Sequence, residues 1–178
     1  MKTLATRRSF LKAAALGAAA TVSADAAPKI QGFEEEKPDG DPSAGWKPIS
    51  DRKVRMGIVG YGVCKFGARF YLQDHPNVDV VAVSDLFPDR CAALAKECRC
   101  QKTYPSLEEM VKDDAIEAIF LATDAPSHCR HAIEVLKHGK HVACAVPAVF
   151  GSLEEADRLF GEVKASGLTY MMFETSNF

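Results

Sequence analysis

From Val54 onward the chain sorts its apolar residues into short runs that alternate with helically spaced segments. Val54–Val59 is an apolar run ending at glycines, which predicts a buried strand. Cys64–Gln73 places Phe66, Phe70 and Leu72 at spacings that suggest a helix, closed by His75-Pro76-Asn77. Val78–Val83 is β-branched and reads as a second buried strand. Pro88–Cys98 predicts a helix with proline in its first turn. Thr103-Tyr104 suggests a short third strand. Ser106-Leu107-Glu108-Glu109 is a capping box that opens a short helix. Ala118–Ala122 is a fourth strand, and Ser127–Lys137 a helix that Gly139 is placed to end. His141–Ala145 is a fifth strand. A second capping box, Ser152-Leu153-Glu154-Glu155, starts a helix running to about Ser166. Gly167 stops it, and Leu168–Phe173 is a sixth strand. Short apolar strands separated by helices imply an α/β fold of Rossmann type over residues 51–178. Its sheet is doubly wound, six-stranded and mostly parallel. In such a sheet, ligands bind at the carboxyl edge where strand order reverses.

The pattern before Val54 is different. Residues 1–26 open with Thr6-Arg7-Arg8-Ser9-Phe10-Leu11-Lys12, continue as an Ala-rich apolar run to Val22, and reach Ala24-Asp25-Ala26. A basic start, a short apolar stretch and a small-x-small site describe a secretory signal peptide. The run is shorter than the roughly 20 residues that span a bilayer, so no stable membrane anchor is expected. Arg7-Arg8 followed by Phe10-Leu11-Lys12 resembles the twin-arginine export signal. An Ala-rich helix with a basic end is the alternative. Residues 27–50 hold Pro28, Pro38, Pro42 and Pro48 with the acidic run Glu34-Glu35-Glu36, and read as a linker. Trp46 and Ile49 are suited to pin its end onto the domain.

Composition narrows the function classes. The 178 residues carry 22 Lys+Arg against 24 Asp+Glu and are 47% hydrophobic, as in a soluble globular protein. That balance leaves no basic footprint for nucleic acid. The six cysteines lack the paired spacing of a zinc site, with Cys98-Arg99-Cys100 as their nearest approach to one. Cys144, inside a predicted strand, reads as a small core residue. His128 and His131 share a helix face without a carboxylate pattern, so no metal is expected.

The candidate chemistry begins at Gly60-Tyr61-Gly62-Val63, directly after the first predicted strand. Gly60 and Gly62 match the first two glycines of G-x-G-x-x-G. One permits a tight turn and the other lets a pyrophosphate approach the backbone. The following helix would aim its N–H groups at that phosphate. Lys65 stands where the third glycine belongs, and Gly67 is placed to serve helix–strand packing instead. Asp85 ends the second strand, suited to the hydroxyls of an adenosine ribose. A carboxylate there favours NAD over NADP. A plain structural turn with a solvated Asp85 is the bland alternative.

Gly60-x-Gly62 combines with Thr123-Asp124-Ala125-Pro126-Ser127-His128 and with Gly139-Lys140-His141-Val142. Together these resemble the NAD(P)-binding domain of the Gfo/Idh/MocA family, the glucose–fructose oxidoreductases, inositol dehydrogenases and rhizopine catabolism proteins. The resemblance covers about residues 53–174. It implies NAD or NADP as cofactor and a sugar or polyol as substrate. It places Thr123 and Pro126, with His128, against the nicotinamide half, although His128 suits an unliganded helix start equally well. Family members end the fifth strand with Glu-Lys-Pro, whose Lys assists proton transfer. Here the positions are Ala145-Val146-Pro147. Pro147 is kept beside the nicotinamide, but Val146 cannot move a proton, so the catalytic residue is unknown. Glu174 and Asn177 are ligand contacts or ordinary loop residues.

Three readings follow. The first is an exported, periplasmic or extracytoplasmic, oxidoreductase-like protein that carries its dinucleotide tightly bound. The second is an NAD-dependent glycoside hydrolase-like protein, since some relatives of the family pair that chemistry with a twin-arginine signal. The third is a non-catalytic nucleotide-binding module. The family continues into a second domain that covers the sugar and builds much of the oligomer interface. Against that pattern, a chain ending just after the sixth strand is expected to be a partial product or half of a split protein.

Overall fold

In a computed structural model, the structure describes Lys47, Pro48 and Ser50–Glu174. The signal peptide, nearly all of the linker, Trp46, Ile49 and Asn177 lie outside the described residues. The elements are β1 (Val54–Val59), α1 (Phe66–Arg69), β2 (Val78–Ser84), α2 (Pro88–Glu97), β3 (Thr103–Tyr104), α3 (Leu107–Met110), β4 (Ala118–Leu121), α4 (His128–Lys137), β5 (His141–Ala145), α5 (Leu153–Ser166) and β6 (Tyr170–Phe173). Single 3₁₀ turns occupy Leu72–Asp74 and Ala125–Ser127.

All six strands pair in parallel, in the order β3-β2-β1-β4-β5-β6. The order reverses between β1 and β4, which opens a crevice between their carboxyl ends. The central strands are apolar on both sides because helices cover both faces. On one face α3, α4 and α5 bury Leu107, Met110, Leu136 and Leu159 against Ile119 and Leu121. On the other, α1 and α2 bury Ala68, Cys91 and Leu94 against Ile58 and Phe120. Full burial of side chains such as Ile58, Phe120 and Leu94 contributes about 1.5–3 kcal/mol each. No helix among the described residues is long and apolar enough to cross a membrane.

Local signals account for the helix ends. The Ser106 and Ser152 hydroxyls accept from the Glu109 and Glu155 amides, as their capping boxes require. Gly167 closes α5 in the left-handed region at φ 65°.

The segment after β1 departs from its predicted helix. Only Phe66–Arg69 is helical, between Lys65 and Tyr71, both left-handed, with φ 52° and 53°. The cause is the spacing of the apolar residues. Phe66 and Phe70 share a helix face, but Leu72 lies on the opposite side at 100° per residue. A continuous helix would bury one set and expose the other. The break at Tyr71 lets Phe70 stack on Phe120 and Phe173 while Leu72 is buried.

Gly67 lies against the end of β1, as expected for the displaced third glycine. A Cβ there would overlap the Gly60 carbonyl oxygen and press on Leu94 and Ile58. Gly67→Ala is therefore expected to cost about 1–3 kcal/mol in urea denaturation. An unchanged midpoint would show that the short helix can shift away.

Candidate functional site

The crevice is a cleft of about 600 Å³ at the carboxyl ends of β1, β2, β4 and β5. Gly60 and Gly62 form its floor, Asp85 one flank, and Thr123 and Val146 the other.

Gly60 has φ 102°, a conformation that L side chains rarely adopt. A Cβ on it would also run into the Ala122 carbonyl oxygen. The turn is pinned on both sides: the Gly60 amide donates to Ser84 O at 2.8 Å, and the Ala122 amide to Val59 O at 2.7 Å. Gly62 is different, since a Cβ there would meet nothing within 4 Å. It opens onto the space of the cleft. The Lys65 amide closes a turn to Gly62 O at 3.0 Å. With α1 reduced to one turn, the expected helix N-terminus contributes little here. The groups offered to an anion are instead the loop backbone and the Lys65 ammonium, which sits 5.6 Å from the centre of the Tyr61 ring.

Asp85 is held in place by the backbone. Its Oδ2 accepts from the Tyr61 amide at 2.7 Å and its Oδ1 from the Phe87 amide at 2.9 Å. A carboxylate has about four acceptor sites, so two remain for a ligand. Tyr61 itself is buried and acts through this amide. Burial, its largest influence, pushes its phenol pKa up. Val63 is 96% exposed at the cleft mouth. Ser84 was not foreseen from the sequence. It is fully buried at the end of β2, lines the cleft, and its hydroxyl has no hydrogen-bond partner among the described residues.

Across the switch point, Thr123 lines the cleft after β4. Its hydroxyl lies 3.0 Å from His131 Nδ1, and His131 Nε2 lies 3.0 Å from Arg130 Nη2. Arg130 approaches Glu108 at 3.8 Å. Burial above all, then the Arg130 charge, holds the His131 pKa below its usual value. Thr123 was an expected site residue, but His131, Arg130 and Glu108 were not: the Thr123–His131 contact spans a 3₁₀ turn that the spacing does not reveal.

Two expected contacts change role. His128 is buried, with Nδ1 at 2.7 Å from Pro147 O and Nε2 at 3.1 Å from Thr123 O. The ring thus bridges two loops, and it also lines the cleft. Pro126 is exposed in the 3₁₀ turn and does not line the cleft, because that turn carries it outward. Pro147 follows a cis peptide bond, and its carbonyl is the His128 partner. Ala145 and Val146 line the cleft with apolar side chains. Glu174 is exposed after β6. No group of three metal-ligating side chains occurs among the described residues.

The donor set fits a dinucleotide. The open space above Gly62, the orphaned Ser84 hydroxyl and the backbone-held Asp85 lie along one continuous cleft. Comparison with known proteins agrees. Residues 54–174 match the GFO_IDH_MocA model, described as an oxidoreductase family with an NAD-binding Rossmann fold. An uncharacterized oxidoreductase of Streptococcus pneumoniae is 30% identical over 127 residues, covering 70% of this chain and 33% of that protein. Glycosyl hydrolase family 109 protein 1 of Bacteroides thetaiotaomicron is 30% identical over 115 residues, covering 60% and 24%. The crystal structure of the WlbA dehydrogenase from Bordetella pertussis, in complex with NADH and UDP-GlcNAcA, superposes with TM-score 0.62 at 28% identity. That match covers 71% of this chain and 36% of WlbA. The chain thus spans about a quarter to a third of the length of these curated relatives. It belongs to the Gfo/Idh/MocA oxidoreductase family and carries its NAD(P)-binding Rossmann domain.

A neutral imidazole donates from one nitrogen, so replacing His128 with Leu takes the donor from one of the two carbonyls, Thr123 O or Pro147 O, and removes the link between their loops. A stability loss of about 1–3 kcal/mol is expected in urea denaturation. Wild-type stability in that variant would show that the clasp contributes nothing.

Proposed function

We propose that this chain is the dinucleotide-binding part of an exported oxidoreductase-like protein that acts on a sugar or polyol and holds its cofactor tightly. The observation that carries this reading is the Asp85 carboxylate, fixed by the Tyr61 amide beside the space above Gly62. A nicotinamide cofactor, when bound, supplies hydride-transfer chemistry. The residues of this chain bind and orient it. Asp85 takes the adenosine ribose hydroxyls. The Gly60–Gly62 backbone and Lys65 take the pyrophosphate. Thr123 meets the nicotinamide half, with His128 and Pro147 holding its loop. Asp85 favours the free 2′-hydroxyl of NAD. Arg90, the cation that would suit a 2′-phosphate, also lines the cleft, 4.5 Å from the Phe87 ring centre.

The twin-arginine reading of Arg7-Arg8 fits this function, because a compartment poor in free dinucleotide favours a protein folded around its cofactor before export.

The apolar wall at Ala145 and Val146 supports a second reading, an NAD-dependent glycoside hydrolase-like activity. Val146 removes the lysine expected of a simple dehydrogenase, and the Bacteroides relative bears a glycosyl hydrolase name. Release of sugar from a chromogenic glycoside without net NAD consumption would select that reading.

The full chain, purified after native export, is expected to release a dinucleotide on denaturation, or to gain thermal stability with NAD more than with NADP. A nucleotide-free preparation indifferent to both overturns the binding assignment. Arg7→Lys with Arg8→Lys is expected to leave the protein in the cytoplasmic fraction; unimpaired export would refute the twin-arginine route.

A further inference from the structure

Thr123 is held at two points. His128 Nε2 lies on its carbonyl oxygen, and His131 Nδ1 lies on its hydroxyl. The second contact has a direction that the outer neighbour decides. A guanidinium has only donors. Arg130 Nη2, 3.0 Å from His131 Nε2, therefore requires Nε2 to be the accepting nitrogen. In a neutral ring the proton then resides on Nδ1. Nδ1–H donates to the Thr123 hydroxyl oxygen, 3.0 Å away. The hydroxyl proton is left over, and Thr123 lines the cleft. Glu108, 3.8 Å from Arg130, holds the guanidinium from its outer side. The ring is also faced by Asp124 and His128, while burial disfavours its charged form.

We infer that Arg130 fixes the tautomer of His131 and so makes Thr123 an obligatory hydrogen-bond donor to a proton-free oxygen of the ligand. Arg130 and His131 are positioning residues, and Thr123 is the one that touches. The inference deepens the dinucleotide reading and rests on it. The acceptor is a phosphate oxygen or the carbonyl oxygen of the nicotinamide carboxamide. With the opposite tautomer, Thr123 would donate to Nδ1 and offer the cleft only lone pairs. Such a hydroxyl cannot bond an oxygen that carries no proton.

The test has a ligand-free arm and a binding arm, both on the full chain. Nitrogen-15 NMR of the histidine rings is expected to show His131 protonated at Nδ1, and to show a shift toward the Nε2–H form in Arg130→Leu. A wild-type ring protonated at Nε2 overturns the inference and leaves the dinucleotide reading intact. For binding, Thr123→Val is expected to weaken NAD roughly three- to tenfold, with Thr123→Ser restoring it. In the Arg130→Leu background, the same Val substitution is expected to cost less than about twofold, because the two residues act as one unit. Arg130 also brings a charge to the cleft, but loss of that charge alone would add to the Thr123 effect without diminishing it. Full additivity therefore overturns the inference. ADP-ribose separates the two acceptors: a penalty kept with it supports a phosphate oxygen, and a penalty lost supports the carboxamide. A wild-type chain that binds neither NAD nor ADP-ribose overturns the dinucleotide reading and the ligand half of this inference, while the tautomer result still decides the relay.

Discussion

The close approach of backbones around Gly60 constrains everything at the carboxyl edge. The carbonyl of Ala122 at the end of β4 occupies the space a Gly60 side chain would need. The Gly60 carbonyl in turn occupies the space a Gly67 side chain would need. Three segments thus touch through backbone atoms at one point, with Ser84 O and Val59 O taking the amides of Gly60 and Ala122. Packing this tight leaves no slack for methyl groups. It also sets the cleft: β1 turns sharply away from β4, and the gap between their ends is the floor on which a ligand lies. Asp85 and Thr123 face each other across that floor because β2 and β4 flank β1 in the sheet.

The two halves of the cleft are built with different chemistry. On the β2 side, polar groups are held before any ligand arrives. Both Asp85 oxygens accept from backbone amides. On the β5 side, Ala145 and Val146 offer only apolar surface. Preorganised polar groups favour recognition, since little ordering remains to oppose binding. An apolar wall excludes water and fits the flat face of an aromatic ring, but it cannot take or give a proton. The polar groups of the cleft are thus fixed by the backbone of this domain, whereas Ala145 and Val146 supply no proton donor or acceptor from their side chains.

Much of this was legible in the residues. β1, β3 and β5 fall on their predicted runs, and the others differ only at their ends, because β-branched apolar runs between turn signals have few other ways to be buried. The place of Gly60, Gly62 and Asp85 at the carboxyl edge was readable because the strand–turn pattern fixes where such residues fall. The helix over Cys64–Gln73 was not, since a continuous helix would turn Leu72 away from Phe66 and Phe70, whereas the break at Tyr71 brings all three onto one core cluster, with Phe70 edge-on to Phe120. His128 shows another limit. A histidine at a helix start near a cleft reads equally as a ligand or as an unliganded helix residue, and its spacing does not reveal that the ring lies between the carbonyls of Thr123 and Pro147, from two different loops. Ser84 is similar: nothing in Val83-Ser84-Asp85 announces that its hydroxyl will be buried without a partner.

The shortened α1 changes how a phosphate would be held. In a long first helix, aligned peptide dipoles place about half a positive charge at the N-terminus. Four helical residues after a left-handed Lys65 supply little of that field. The same left-handed turn keeps the Lys65 side chain at the cleft, near the Tyr61 ring. A mobile ammonium thus stands in for a fixed dipole. An ammonium is strongly hydrated and carries large rotamer entropy, so its contribution is screened by salt more readily than a buried dipole. The fixed polar groups of the cleft are then Asp85 and Thr123, held by backbone amides and by His128 and His131.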